Sequence, residues 1–189
     1  MRSKIMLGLL SVSFSGCLGV FTAQAPQSLS VHTDRRSSAS MLMDTSLELD
    51  LNTKIQQLDL PADSRIYVKS FNRHILVLGQ TPDENNIDRI STLIEGTEGV
   101  KKVYNEVSPM IPLTYWQKAK DNWITAKITS TMMLTPKMNP WKIHVTTENA
   151  VVYLVGIVTP EEESFALDTA KTTSGVRKVV KIFDYKKVP

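Results

Sequence analysis

The chain has 189 residues, of which 42% are apolar and 22% are charged, with a formal net charge of +3. This composition is typical of globular proteins and argues against a disordered chain, and the length allows one domain or two small ones. The charge is unevenly distributed, because residues 44–107 carry 7 basic and 11 acidic side chains (net −4), whereas residues 108–189 carry 11 and 7 (net +4). The second half would be attracted to an anionic surface, although ordinary variation between solvated surfaces gives the same difference.

The N-terminus has the features of an export signal. Arg2 and Lys4 precede an apolar segment over residues 5–14, which is too short to span a bilayer as a permanent helix. The N-terminal region offers two alternative processing sites. One is the A-x-A pattern at residues 23–25, where the following Pro26 would hinder cleavage.

The other processing site is Phe14-Ser15-Gly16-Cys17, which resembles the bacterial lipoprotein signal. Cys17 is the single cysteine, so it can form neither an internal disulfide nor a metal site by itself. We expect residues 1–17 to be the signal and Cys17 to be lipidated, the alternative being an unmodified cysteine within a signal peptide. Leu18 at the next position resembles lipoproteins sent to the outer membrane, and acyl chains would anchor the protein there.

A flexible tether is expected over residues 18–43, which are rich in Ser, Thr, Gln and Ala without periodicity. Structure is expected from about Asp44, where apolar residues at helical spacing predict a helix. Alternation and turn residues then predict strands over 65–70 and 74–79, a helix opened by Thr81 and Pro82, and a strand over 100–107. After a linker over 108–120, a second series follows: a helix over 121–134, strands over 141–147 and 151–158, a helix over 160–173 and a strand over 176–185.

The second series repeats the first. Residues 76–84 (LVLGQTPDE) match the pattern of residues 151–162 (VVYLVGIVTPEE), with an offset that drifts from 73 at the first helix to 78 at the Thr-Pro dipeptide. The repeat predicts two tandem α/β (α+β) domains, 44–107 and 121–189, each α-β-β-α-β. Each would have a three-stranded mixed sheet with two helices covering one face.

Both Thr-Pro dipeptides predict the same helix start. In Thr81-Pro82-Asp83-Glu84 and Thr159-Pro160-Glu161-Glu162, threonine is expected to cap the helix and the last glutamate to complete a capping box. This role accounts for the acids at 161–163 without a metal ion.

With Gly after the central strand and Gly-Val before the last strand of each unit, the pattern resembles the BON family of bacterial envelope proteins. The resemblance covers both repeats, and the stretches at 103–106, 123–125 and 145–149 support a closer likeness to outer-membrane lipoproteins with two BON domains. It implies a non-enzymatic lipoprotein that faces the periplasm and whose second domain engages anionic phospholipid. Such a protein would support envelope integrity and outer-membrane protein assembly. Ala150 departs from the pattern, since glycine is expected in that turn.

The sequence offers little for catalysis. It contains no nucleophile elbow, zinc-protease or phosphate-loop motif, and its three histidines are isolated, so we expect neither an enzyme nor a cofactor. The modest charge and the export signal argue against nucleic-acid binding.

Comparison of the two copies indicates a binding surface on the first helix of the second unit. At offset 73, Trp123 takes the position of Asp50, beside the core stripe but facing water. An exposed tryptophan beside Lys127 is typical of a bilayer interface. The predicted lipid-binding residues are Trp123, Lys127, Lys120, Ser130 and Leu134, with Trp116 in an aromatic-basic cluster just upstream.

Three alternatives remain open from the sequence. Trp123 could instead pack against the other domain or the linker. The same aromatic surface could bind a protein, such as a component of the outer-membrane protein assembly machinery. Without lipidation at Cys17, the chain would be a soluble, stress-protective periplasmic protein.

Overall fold

The computed structural model describes residues 34–135 and 140–186, which form two α-β-β-α-β units. The first consists of α1 (Ser38–Gln56), β1 (Arg65–Phe71), β2 (His74–Thr81), α2 (Asn85–Glu95) and β3 (Lys102–Pro109). The second consists of α3 (Tyr115–Met133), a 3-10 turn (Pro140–Lys142), β4 (Ile143–Glu148), β5 (Val151–Val158), α4 (Pro160–Thr172) and β6 (Lys178–Tyr185). The predicted fold class is confirmed.

In each sheet the central strand pairs antiparallel with the preceding strand and parallel with the following one. Val77 of β2 lies opposite Val68 of β1, and Val152 of β5 lies opposite Thr147 of β4. The parallel partners are β3 and β6, reached through α2 and α4. The central strands are buried on both faces, as their nearly continuous apolar sequences predict.

Each sheet packs its helices on one face and meets the other sheet on its second face. The helix-side cores include Leu51 and Ile90 in the first unit and Ile128 in the second. A third apolar cluster combines residues of both sheets: Phe71, Leu76 and Leu78 from the first, and Val151, Tyr153, Val155 and Ile182 from the second. The sequence analysis did not predict this packing of sheet on sheet, although burial on both faces of β2 and β5 requires a cover for each face.

Two helices begin earlier than predicted. α1 starts at Ser38, capped by the Ser37 hydroxyl, so residues 38–43 are helical rather than part of a tether. α3 starts at Tyr115 instead of Asp121, because Thr114 and Gln117 form a capping box that the sequence analysis missed. The predicted linker therefore loses its last six residues to α3.

The first predicted capping box is wrong and the second is confirmed. Thr81 ends strand β2 and its hydroxyl accepts a hydrogen bond from the Ser64 hydroxyl at 3.1 Å. α2 starts only at Asn85, where the Asp83 carboxylate accepts from the backbone N–H. In contrast, Thr159 and Glu162 cap α4 reciprocally, with Pro160 in the first turn.

The repeated glycine lies where neighbouring strands approach most closely. A Cβ on Gly156 would overlap the carbonyl oxygen of Lys142, and one on Gly79 would overlap that of Arg65. Any side chain there would push the start of the adjacent strand away.

Both hairpins turn through two residues of positive φ, including Ala150 at 60°, where glycine is expected. The Asp121 carboxylate accepts hydrogen bonds from the backbone N–H groups of Asn149 and Ala150, both at 2.8 Å. Asp44 holds the Asn72-Arg73 turn in the same way. An aspartate at the start of the core-facing helix stripe therefore stabilises each hairpin turn.

The twin aspartates also correct the alignment of the helices. The buried residues of α1 are Asp44, Leu47, Leu51 and Ile55, and those of α3 are Asp121, Ile124, Ile128 and Met132, a constant offset of 77. The predicted offset of 73 was one helical turn short. Trp123 therefore corresponds to Ser46, and Lys127 corresponds to Asp50.

Candidate lipid-facing surface on helix α3

The outward side of α3 carries a continuous stripe of exposed residues. Its core side is formed by Ile124, Ile128 and Met132, which are nearly inaccessible to solvent. On the opposite side the spacing alternates between four and three residues, which keeps side chains on one helix face. This α3 stripe consists of Trp116, Lys120, Trp123, Lys127, Ser130 and Leu134, with Leu134 capping the helix C-terminus.

Trp123 lies on the surface and not inside its domain. Its side chain is 53% exposed, and Trp116 and Leu134 are 78% and 84% exposed. This exposure argues against the alternative that the sequence left open, in which Trp123 packs against the other domain or the linker. A row of large exposed apolar side chains on one helix is unusual for a surface that faces only water.

Lys127 is held beside the indole. Its Nζ lies 4.9 Å from the centre of the Trp123 ring, a cation–π distance across one helical turn. Among the described residues, Lys127 forms no ion pair within 4 Å, and neither does Lys120. The α3 stripe therefore offers positive charge that the described part of the protein does not neutralise.

The early start of α3 brings Trp116 and Lys120 into the stripe. Both residues fall within the linker predicted over 108–120, which separates Trp116 from the stripe. In the structure Trp116 lies seven residues before Trp123 on the same helix, and its ring meets Tyr115 edge-on at 5.6 Å. The Thr114-x-x-Gln117 capping box was the signal that could have shown this.

Two further large apolar side chains are exposed, one in the last turn of α3 and one in the 3-10 turn that follows it. Met133 and Trp141 are also more than half exposed, and neither was predicted as part of the surface. Trp141 follows the short segment after α3, and the sequence analysis assigned it to a strand. The first unit has no tryptophan, so the comparison of the two copies that singled out Trp123 could have singled out Trp141 as well.

The equivalent face of α1 differs in charge and in aromatic content. Ser46 replaces the indole, and Asp50, in place of Lys127, pairs with Lys54 at 2.8 Å. Leu42 and Leu49 are exposed there, so apolar surface alone does not distinguish the two helices. Of these two helices, only α3 combines tryptophans with lysines that pair with no acid among the described residues.

A buried carboxylate joins the domain that carries α3 to the first domain. Glu148, 6% exposed, accepts hydrogen bonds from Arg65 Nη1 and the Tyr67 hydroxyl, both at 2.8 Å, and from the Gln80 amide. Burial, reinforced by the charge of Glu148, raises the pKa of the Tyr67 hydroxyl above its usual value. Three donors of one domain therefore satisfy one acid of the other.

Among residues 34–135 and 140–186, no three His, Cys, Asp or Glu side chains are grouped as a metal site, and the acids at 162 and 163 pair with basic side chains. His74 and His144 lie near the contact between the sheets, whereas Cys17 and His32 lie outside the described residues. Within the described part of the chain, no helix is both long enough and apolar enough to cross a bilayer.

Comparison with known proteins agrees with this architecture. The BON domain family model matches residues 44–108 and again residues 120–187. The chain belongs to the BON-domain family and contains two copies of the domain.

Two relatives cover most of the chain. It is 31% identical over 185 residues to a Haemophilus influenzae protein named outer membrane lipoprotein DolP, a match that spans 97% of this chain and 95% of the relative. It is 30% identical over 153 residues to a 21 kDa hemolysin of Actinobacillus pleuropneumoniae, covering 80% and 79% of the two chains. The predicted likeness to a lipoprotein with two BON domains is therefore confirmed.

Proposed function

We propose that this protein is a non-enzymatic lipoprotein of the outer membrane that faces the periplasm and binds anionic phospholipid through helix α3 of its second BON domain. The observation that carries the proposal is the α3 stripe, in which Trp123 is exposed with the Lys127 ammonium over its ring. At a bilayer surface an indole sits at headgroup depth, and ammonium groups pair with lipid phosphates. The name of the Haemophilus relative supports the outer-membrane location.

Anchoring and binding would act together. A chain acylated at Cys17 is already held at the membrane, so a weak contact of α3 with the same bilayer becomes effectively intramolecular. Envelope integrity would be supported by the position of the folded domains at the lipid surface, without any chemical step.

The direct test uses the mature chain with Cys17→Ser and no lipid, so that binding reports on the folded domains. Trp123→Glu places a carboxylate where the indole meets the headgroups, and we expect at least a tenfold loss of binding to vesicles that contain phosphatidylglycerol. Ser46→Glu, at the equivalent position of α1, is the matched control and should bind as the parent does. Circular dichroism checks that both variants fold. Unchanged binding by folded Trp123→Glu would refute the assignment of α3.

Salt distinguishes lipid binding from the alternative function, an adaptor for the outer-membrane protein assembly machinery. Screening should weaken the electrostatic part of lipid binding. A specific protein partner captured in high salt, by a chain that does not bind vesicles, would favour the adaptor.

Anchoring has a separate test. The mass of the mature N-terminus, measured on protein from cells, should show an acylated Cys17. A mature chain that begins after residue 25 without lipid would instead support the soluble periplasmic protein.

A further inference from the structure

A groove between α3 and α4 of the second domain borders the α3 stripe and shares Lys127 with it. Its volume is about 310 Å³. The lining residues the inference depends on are Lys127 and Thr131 from α3, and Phe165, Asp168, Thr172 and Thr173 from the α4 side. We propose that this groove binds the polar headgroup of one phospholipid and selects headgroups with hydrogen-bond donors beyond the phosphate. This inference rests on the proposed function.

Three of the four threonines that line the groove present acceptors and not donors. The hydroxyl of Thr131 donates to the Lys127 carbonyl at 3.0 Å, and that of Thr172 donates to the Asp168 carbonyl at 2.7 Å. The hydroxyl of Thr173 donates to the Thr169 carbonyl at 2.8 Å. Since a hydroxyl has one hydrogen, each of these oxygens retains only lone pairs for a ligand.

The two charges of the groove stand apart. Lys127 and Asp168 both line it but do not lie within ion-pair distance of each other, and within the described residues neither pairs with another charged side chain. The α3 side of the groove, with Lys127, therefore attracts a phosphate, while the α4 side, with Asp168, attracts a hydrogen-bond donor.

A phosphodiester headgroup ending in hydroxyls or an ammonium matches this pattern. Its phosphate would meet the ammonium of Lys127, whose side chain lines the groove and also contacts the Trp123 ring. Its terminal hydroxyls or ammonium would donate to the Asp168 carboxylate, a charge-assisted hydrogen bond. A headgroup without donors would leave Asp168 facing a phosphate, with only repulsion between them.

Substitution of Asp168 distinguishes this proposal from binding by net charge alone. If only net charge mattered, removing an acid beside the membrane-facing helix would strengthen binding to every anionic bilayer. If Asp168 receives headgroup donors, its removal weakens the preference for donor-bearing lipids. The two models therefore predict different results from one substitution.

The experiment compares vesicles whose anionic lipid is phosphatidylglycerol with vesicles that contain phosphatidylmethanol. The two headgroups carry the same charge, and only the first has terminal hydroxyls. The protein is the mature chain with Cys17→Ser. We expect the parent to bind phosphatidylglycerol roughly five- to tenfold more tightly, as one charge-assisted hydrogen bond allows. Asp168→Ala should lower this ratio to about one, while its binding to phosphatidylmethanol rises slightly.

Glu161→Ala is the matched control, because Glu161 is an exposed acid of the same helix, two turns before Asp168, and does not line the groove. It removes the same charge, so it should change binding to both lipids by the same factor and keep the ratio. Replacing neutral phosphatidylcholine by phosphatidylethanolamine shows whether an ammonium serves as well as hydroxyls.

The outcomes separate the two proposals. A parent that binds both anionic lipids equally, or an Asp168→Ala variant that keeps the preference, would overturn the groove proposal and leave the α3 proposal intact. A parent that binds neither lipid would overturn both.

Discussion

The guanidinium of Arg35 meets the carboxylate of Glu162 in a two-pronged ion pair, with Nη1–Oε2 and Nη2–Oε1 distances of 2.6 and 3.0 Å. Arg35 precedes the first helix of the first domain, whereas Glu162 caps the last helix of the second. Arg35 Nη1 also donates to the Ile157 carbonyl at 2.8 Å. The residues just ahead of α1 are therefore attached to the other domain.

The next arginine faces the first domain. Arg36 donates to Asp44 at 2.8 Å, and its guanidinium lies 4.1 Å from the centre of the Phe71 ring. Asp34 bonds to Arg36 and lies 3.2 Å from His144 of the second domain. Residues 34–36 thus form a strap that contacts both domains, in a region where a flexible tether was expected.

The strap predicts where trypsin cuts. Arg35 and Arg36 are largely buried, so cleavage after Arg36 should be slow in the parent chain. In Glu162→Gln the side-chain amide can still cap α4, but the ion pair with Arg35 is lost. We expect cleavage after Arg36 to become about tenfold faster, because the strap opens more often. Mass spectrometry identifies the new fragment, which begins at Ser37. Glu161→Gln, at the preceding position but without a strap contact, should leave the rate unchanged, and equal rates in both variants would contradict the strap.

The corrected alignment of α1 and α3 makes a prediction about transfer of binding. Because Ser46 and Asp50 occupy the positions of Trp123 and Lys127, Ser46→Trp with Asp50→Lys should create a related surface on α1. In the Trp123→Glu background we expect this pair to restore part of the vesicle binding, measured by co-sedimentation.

The control for this transfer is Thr45→Trp with Asp50→Lys in the same background. Thr45 is also exposed, and the pair introduces the same two residue types and the same change of charge. It turns the new indole about 100° around the helix, away from the lysine that should lie beside it. We expect little recovery in the control, and equal recovery in both pairs would show that the alignment does not govern binding.

His74 predicts a loss of stability in mild acid. Both ring nitrogens are buried without a hydrogen-bond partner among the described residues, and an acid, Asp184, lies 3.5 Å from Nε2. Burial lowers the pKa of His74 despite the opposing charge of Asp184, and Lys101 adds to the lowering. In the folded protein His74 therefore becomes protonated at a lower pH than in the unfolded chain, where a histidine titrates near pH 6.5.

Acid therefore lowers the stability of the fold through His74. The neutral ring contributes its full stability above the unfolded pKa, and this contribution is lost as the pH falls below about 6.5 towards the folded pKa. Between pH 7.5 and 5.5, urea unfolding should show a smaller loss of unfolding free energy for His74→Phe than for the parent. The control is His144→Gln, which removes a different histidine. An identical loss in the His74→Phe variant would exclude His74 as the cause.

The repeat, the order of helices and strands, and the exposed side of α3 could be predicted from the residues alone. Apolar spacing in a helix reports which side chains face a core, and the Thr-Pro positions report where the central strands end. Trp123 could be placed outside the core for this reason, even though the alignment used for it was one turn off.

Three features could be known only from the folded chain: what covers the second face of each sheet, how the strap joins the domains, and which groups line the groove between α3 and α4. Periodicity shows that a face is buried, but it does not identify the partner, because apolar packing is not directional. Ion pairs such as Arg35–Glu162 join residues far apart in the chain, and nothing in their local sequence marks one as the partner of the other. The alignment of α1 with α3 likewise depends on a tertiary contact, because Asp44 and Asp121 hold the equivalent hairpin turns of the two domains.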